Sequence, residues 1–245
     1  MGVNRAVVLQ HIDCEPPGVF EAVLEAHDVK VIRVELDEGD PLPDLHDANL
    51  VVAMGGPMSV NDEADHLWLA EEKRWIASAV HSGVPYFGVC LGAQLLAASL
   101  GATVRAGESP EVGVLPVTLT AEGLADPVFS VLGGEFRALQ WHGDTFDIPP
   151  GAKRLCRSSA YENQAFRVGS AFALQFHLEV TREMFEEWKR VPAYVASLQA
   201  TLGDGGFELL SQAFCGARED MADSARRLFE RFLATTASNF LERTC

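Results

Sequence analysis

This sequence is short of cationic side chains and has no paired-cysteine motif. Lysine and arginine total 19 against 35 aspartates and glutamates, a net charge of −16. Phosphate contacts need a basic face, so nucleic acid and anionic membrane surfaces are poor partners for this chain. The acidic residues are scattered and form no acidic tail. The five cysteines, Cys14, Cys90, Cys156, Cys215 and Cys245, are odd in number and show no C-x-x-C spacing. Neither a disulfide framework nor a zinc site is suggested, and a reducing, cytoplasmic compartment fits. No apolar run is long enough to cross a bilayer. The segment up to Gln10 has one arginine and a short Ala6–Leu9 apolar run, without the h-region or cleavage site of a secretory signal. A buried first strand is the expected reading. No internal repeat or low-complexity segment is visible.

Hydrophobic residues make up 48% of 245, enough for one large domain or one domain with an appendage. Strand candidates at Arg5–Gln10, Val29–Val34 and Leu50–Met54 alternate with helical patterns at Gly18–His27 and Asp65–Ser82. This order predicts an α/β fold with a parallel sheet covered on both faces. After Gly101 the strand candidates become short and broken by Gly and Pro: Thr103–Arg105, Glu111–Thr120, Glu135–Trp141, Lys153–Arg157, Gln164–Val168 and Ala171–Gln175. That half reads as an antiparallel extension of the sheet. Thr181–Arg190 returns to a helical pattern. Residues 191–245 are helical throughout, with a break at Gly203–Gly206, and are expected to pack on the domain formed by residues 1–190. Phe207, Phe214, Phe229, Phe232 and Phe240 of that tail face either the parent domain or another chain, and the parent domain is the expected surface.

The most informative segment is Val84–Gln94. An apolar run ends in Gly88-Val89-Cys90-Leu91-Gly92, and a helical pattern follows at once. Strand, tight turn and helix place a thiol at the tip of a nucleophile elbow, where glycines keep the turn free of Cβ clashes. A sulfur just ahead of a helix N-terminus also meets the positive end of the macrodipole. Such a nucleophile needs a base, and the base needs an orienting group. Ala171–Glu179 supplies both, because an apolar strand there ends in His177-Leu178-Glu179. Continued strand geometry would put His177 and Glu179 on the same side. Both Cys90 and His177 then fall at strand C-terminal ends, where open α/β sheets bind ligands. Gly55-Gly56-Pro57 follows another apolar strand and is positioned to turn a backbone N–H toward the cysteine. The Leu91 N–H is the second oxyanion donor.

In order along the chain, Gly55-Gly56-Pro57, Gly88–Gln94 and Phe176–Glu179 resemble the signature segments of class I glutamine amidotransferases. Glu111-Val112-Gly113 and Gln140–Asp144 resemble the stand-alone members related to the GMP synthase glutaminase domain. The resemblance covers roughly residues 1–190. It implies a flavodoxin-like, doubly wound, mostly parallel sheet with a small antiparallel extension and a C-terminal helical appendage. It implies that Cys90 attacks the glutamine γ-amide, giving a γ-glutamyl thioester and ammonia, then glutamate. His177 serves as acid and base and Glu179 orients it. Gly56 and Leu91 hold the oxyanion, while Gly55, Gln94, Trp141 and His142 contact substrate. No cofactor or metal is implied. Partners are a small-molecule substrate and a synthase that receives ammonia; a relative cleaving γ-glutamyl peptides or conjugates would use the same triad. A third reading makes the chain an ammonia-supplying or regulatory subunit that works only with its partner.

Two departures from the family stand out. Leu178 occupies the place of the proline in the usual His-Pro-Glu triplet, which is expected to loosen that backbone. The Ser-Gly-Gly-x-Asp-Ser loop of GMP synthases and the Gly-x-x-x-x-Gly-Lys-Ser/Thr cradle are both missing, so ATP activation of an acceptor is not expected of this chain. Other polar residues have plainer expectations. His11, His27, His46, His66 and His81 are expected at the surface. Asp65 is expected to cap the helix that follows it, with Asp62 and Glu63 in a solvated loop rather than a metal site. Cys14, Cys156, Cys215 and Cys245 are expected to have no chemical role.

Overall fold

The structure, a computed structural model, describes residues 3–242, with side chains through Thr236. Cys245 and the side chain of Phe240 lie outside the described residues. Strands β1 (Arg5–Gln10), β2 (Lys30–Glu35), β3 (Leu50–Ala53), β4 (Tyr86–Val89) and β9 (Ala171–Leu174) pair in parallel in the order β2-β1-β3-β4-β9. The sheet then continues through β8 (Ala165–Val168), β7 (Lys153–Arg157), β5 (Val104–Leu119) and β6 (Glu135–Phe146), all antiparallel. This is the flavodoxin-like, doubly wound arrangement that the sequence predicts, with four strands in the antiparallel extension.

Side-chain alternation along the central strands builds two cores. Ala6 and Val8 of β1, Leu50 and Val52 of β3, and Phe87 and Val89 of β4 face one layer. Val7, Leu9, Val51, Ala53 and Tyr86 face the other. Period-two burial on both faces is what near-continuous apolar strands require. Helices α2 (Trp68–His81) and α3 (Leu91–Ser99) cover the second layer through Leu69, Ile76, Leu95 and Leu96. The first layer is covered by α1 (Val19–Ala26), α5 (Arg182–Trp188), α6 (Pro192–Leu202) and the 37-residue α7 (Gly206–Glu242). A short helix α4 (Ala121–Ala125) and single turns at Leu45–Asp47 and Phe129–Leu132 complete the chain.

Three local expectations change. The two strand segments on either side of Gly107–Pro110 are one strand, β5, whose register against β6 shifts between Ala106 and Glu111. A bulge absorbs the Gly and Pro that look like a break in the sequence. Helix α2 begins at Trp68, preceded by Leu67 with no side-chain cap, so Asp65 does not cap it. The Asp65 amide instead donates to the Asp62 carbonyl in an earlier turn. His11 is fully buried, whereas His27, His46 and His81 are exposed and His66 is half-buried.

The tail aromatics face the sheet. Phe229 and Phe232 of α7 contact Phe87 with ring centroids 5.1 and 5.0 Å apart, and Phe232 also meets Phe172 at 5.5 Å. Phe214 stacks on Phe185 at 4.2 Å, and all three tail rings are buried. Phe207 is only partly buried against the same core. Truncating a fully buried ring leaves a cavity and costs about 3–5 kcal/mol. Phe232→Ala is therefore predicted to lower unfolding free energy by about that amount in a denaturant titration. A loss under roughly 1 kcal/mol would show that α7 contributes little to the core.

Candidate active site

The sharp turn between β4 and α3 determines where the sulfur goes. Cys90 takes φ +51° and ψ −107°, and its N–H donates to the Leu174 carbonyl at 2.7 Å. Such a left-handed conformation is costly for a residue with a Cβ and is characteristic of functional turns. The flanking glycines are sterically required. A Cβ on Gly92 would lie 2.1 Å from the Ala53 carbonyl oxygen, and one on Gly88 would lie 2.5 Å from the Gly92 oxygen. The buried Tyr86 hydroxyl donates to that same Gly92 carbonyl at 2.7 Å.

β9 brings the imidazole to this turn from the neighbouring strand. The strand ends at Leu174, three residues before His177, so strand geometry does not persist to the histidine. A two-bond bridge to Leu139 of β6 holds the His177 backbone instead, with N···O distances of 2.8 and 3.0 Å. His177 Nδ1 lies 2.7 Å from Glu179 Oε1, and both residues are buried. The Cys90 thiol lies beside the ring and acts on its charge. Trp188 packs edge-on against it at 5.0 Å. Burial by itself would depress the imidazolium, but Glu179 and Cys90 outweigh it and hold His177 well above its ordinary value.

Leu178 turns out to add a constraint. Its N–H donates to Glu179 Oε2 at 3.0 Å, so the carboxylate is tied at both oxygens. A proline has no such donor. The expected loosening is replaced by a hydrogen bond that fixes Glu179 in place.

Other predicted residues surround a cleft of about 260 Å³. Gly56, Cys90, Gln94, Trp141 and His142 line it, together with Ser59, Asp62 and Asp144. The amides of Gly56 and Leu91 have no acceptor among the described residues. Gln94 donates to Gln175 Oε1 at 3.0 Å, and Gln175 Nε2 approaches Cys90 Sγ at 3.7 Å. His142 is engaged at both nitrogens, with the Asp144 carbonyl at 2.9 Å and Glu111 Oε2 at 3.2 Å. Glu111 also accepts from Ser158 and Gln164, so His142 belongs to a buried polar network as well as to the cleft wall. Gly55 sits slightly back from the cleft, against Glu15 and His177. A larger cavity of about 1110 Å³ lies near Gly83–Pro85 and Gly169–Ser170, at the opposite end of β4 and β9, away from Cys90.

Several site residues carry little signal in the sequence. Tyr194, Ala193 and Ser197 of α6 line the cleft. The Tyr194 hydroxyl donates to buried Glu15 Oε1. Burial pushes Glu15 up, opposed by nearby His177 and by Tyr194. Gln175 reads in the sequence only as part of a strand. A polar Glu15-Pro16-Pro17-Gly18 turn just past the end of β1 is the available signal for Glu15, since ligands gather at that sheet edge.

A cysteine elbow, a neighbouring His–Glu pair and two free amides thus meet at the carboxyl edge of a 2-1-3-4 parallel sheet. Residues 19–187 match the family described as glutamine amidotransferase class-I. This chain belongs to the class-I glutamine amidotransferase family. The glutamine amidotransferase-like protein YfeJ of Salmonella typhimurium is 31% identical over 187 residues, covering 74% of this chain and 78% of that protein. A glutamine-hydrolyzing GMP synthase subunit of Sulfolobus acidocaldarius is 34% identical over 140 residues, 56% of this chain and 70% of that one. The crystal structure of a Thermotoga maritima glutamine amidotransferase superposes with a TM-score of 0.85 at 31% identity, covering 95% of this chain and 99% of that one. Among the described residues, no helix is long and apolar enough to cross a membrane.

The His177 environment makes a pH prediction. Its folded value lies above the unfolded value of about 6.5, so protonated His177 stabilises the fold fully below that pH. The contribution is lost as pH rises through the raised folded value. A ring-resolved NMR titration is expected to find His177 still protonated at neutral pH. Glu179→Gln removes the largest raising influence and is expected to move the midpoint down. An unchanged midpoint in that variant would rule out the pairing as its cause.

Proposed function

We propose that this chain hydrolyses the γ-amide of glutamine through a Cys90 thioester. The observation that carries this reading is the meeting of Cys90, on its strained elbow, with a buried His177–Glu179 pair whose own hydrogen bond is 2.7 Å long. The proton shared by thiol and imidazole resides on His177. The sulfur attacks the γ-carbonyl carbon, and its oxygen takes the charge toward the N–H groups of Gly56 and Leu91. As the tetrahedral species collapses, the C–N bond breaks and His177 gives its proton to the departing nitrogen, releasing ammonia. His177, neutral again, takes a proton from water as the water attacks the thioester. The C–S bond then breaks, glutamate leaves, and the thiolate–imidazolium pair is restored. Glu179 keeps the imidazole in register throughout.

Gln94, Trp141 and His142 form the substrate-facing wall in this reading, with Gly55 set behind it. Among the described residues, no lysine or arginine lines the cleft, which supports an uncharged amide as the reacting group. Because one relative is named as part of a GMP synthase, the ammonia is assigned to a synthase partner in a reducing, cytoplasmic setting.

Ammonia release from glutamine tests the reading directly. Cys90→Ala is expected to abolish it, and His177→Ala to slow it by about 10²–10⁴-fold. A glutamine-mimicking electrophile should modify Cys90 and spare Cys14, which burial pushes up to about 12, and Cys156, raised well above the ordinary thiol range by burial. Equal ammonia release by wild type and Cys90→Ala would refute the mechanism. Preferential cleavage of γ-glutamyl peptides over glutamine would replace the substrate while keeping the chemistry.

A further inference from the structure

Behind the Gly55-Gly56 turn lies a second buried histidine–carboxylate pair. His11, just past β1, is 0% exposed, and so is Glu72 of α2. His11 Nε2 lies 2.8 Å from Glu72 Oε1, while Nδ1 lies 3.2 Å from the Gly55 carbonyl oxygen. Trp68 stacks on the imidazole at 5.5 Å and 22°, which fixes the plane of the ring. A carbonyl oxygen only accepts, so Nδ1 must carry a hydrogen. The Glu72 carboxylate on the other nitrogen then favours a ring protonated at both positions. Burial opposes that charge, but Glu72 and the Gly55 contact prevail and raise His11 above its ordinary value.

The consequence follows from peptide planarity. The Gly55 C=O and the Gly56 N–H belong to one trans peptide unit and point in opposite directions. Anchoring the carbonyl on His11 aims the amide away from His11. Gly56 lines the Cys90 cleft, and its N–H has no acceptor among the described residues. Glycine at both positions leaves this peptide free to rotate, so side chains on its flanks cannot hold it. An oxyanion donor is useful only if it is oriented before charge develops.

We infer that Glu72 and His11 are positioning residues that lock the Gly55–Gly56 peptide with its amide directed at the oxyanion formed on Cys90. Neither residue lines the cleft, so the pair acts through the backbone. This inference rests on the oxyanion role given to Gly56 under the proposed function.

Substitutions at the two ring nitrogens separate the interactions. Asparagine places its amide N–H near the Nδ1 position, and glutamine places it near Nε2. His11→Gln therefore keeps a partner for Glu72 and removes the donor to Gly55. His11→Asn combined with Glu72→Gln keeps the Gly55 donor and leaves no unpaired buried charge. Crystal structures of wild type and both variants are compared, with kcat and KM for glutamine hydrolysis. His11→Gln is expected to rotate the Gly55–Gly56 peptide and lower kcat by about 10²-fold with KM little changed. The double variant is expected to restore the peptide orientation and most of kcat. An unmoved peptide in His11→Gln, or a kcat loss that the double variant does not rescue, overturns the inference. Should His11→Gln not fold, Glu72→Gln alone serves, with several-fold lower kcat expected and wild-type kcat overturning. Because peptide orientation is read without turnover, an inactive wild type would count against the proposed reaction and leave the positioning test intact.

Discussion

A cysteine forced into left-handed backbone is the constraint on which the rest of this molecule depends. Residues with a Cβ pay about 1–3 kcal/mol to occupy such regions. Cys90 is held there by its own amide on Leu174, by the Gly92 amide on Met54 and by Tyr86 on the Gly92 carbonyl. The turn is so tight that α3 packs directly against β3, which is why Gly92 cannot carry a side chain. Placing the turn at the end of a central strand, with parallel neighbours on both sides, brings two other strand ends within reach. β9 delivers His177 and β3 delivers the Gly55-Gly56 turn. The meeting of these groups is therefore a property of strand order before it is a property of any side chain.

Charge balance in the dry interior is the second constraint. Glu72, Glu179 and Glu15 are all buried around two buried imidazoles. Removing that many ionisable groups from water is expensive unless each is paired with good geometry. Glu179 and Glu72 each have a histidine at 2.7–2.8 Å. Among the described residues, Glu15 has only the Tyr194 hydroxyl and a more distant Coulombic contact with the imidazoles, and its Oε2 has no hydrogen-bond partner. Its raised value follows from that imbalance. The third carboxyl is the one the interior can most easily keep neutral, which leaves His177 governed by Glu179.

Much of this is legible in the sequence because the signals are local. Glycine spacing around Cys90, the His-x-Glu triplet and the apolar runs of β1, β3 and β4 each sit within a few residues of one another. The parallel sheet follows from alternation of strands and helices. What stays hidden depends on contacts far apart in sequence. His11 and Glu72 are 61 residues apart, and Glu15 and Tyr194 are 179 apart. A histidine beside polar residues reads as exposed until the fold closes over it, and a lone glutamate on an amphipathic helix reads as solvated. Leu178 misleads for a different reason. Losing proline removes a backbone restraint, but it also restores an N–H, and only the position of Glu179 reveals which effect matters. The bulge in β5 is hidden because Gly and Pro signal a break and a bulge alike.

The C-terminal helices belong to the site as well as to the core. α7 buries Phe229 and Phe232 on Phe87, in the strand that leads to Cys90, so its packing supports the base of the elbow. α6 closes one side of the cleft with Ala193, Tyr194 and Ser197. Trp141, Trp188 and Tyr194 form a cluster with centroids 5.4–5.7 Å apart, joining β6, α5 and α6 around the imidazole. An aromatic cluster of this kind excludes water from the reacting groups, and a low local dielectric strengthens every charge interaction within it. Tyr194 of α6 also covers the buried Glu15, whose Oε1 accepts its hydroxyl. The tail thus supplies the dryness that the His177–Glu179 pair needs in order to hold its proton beside the sulfur.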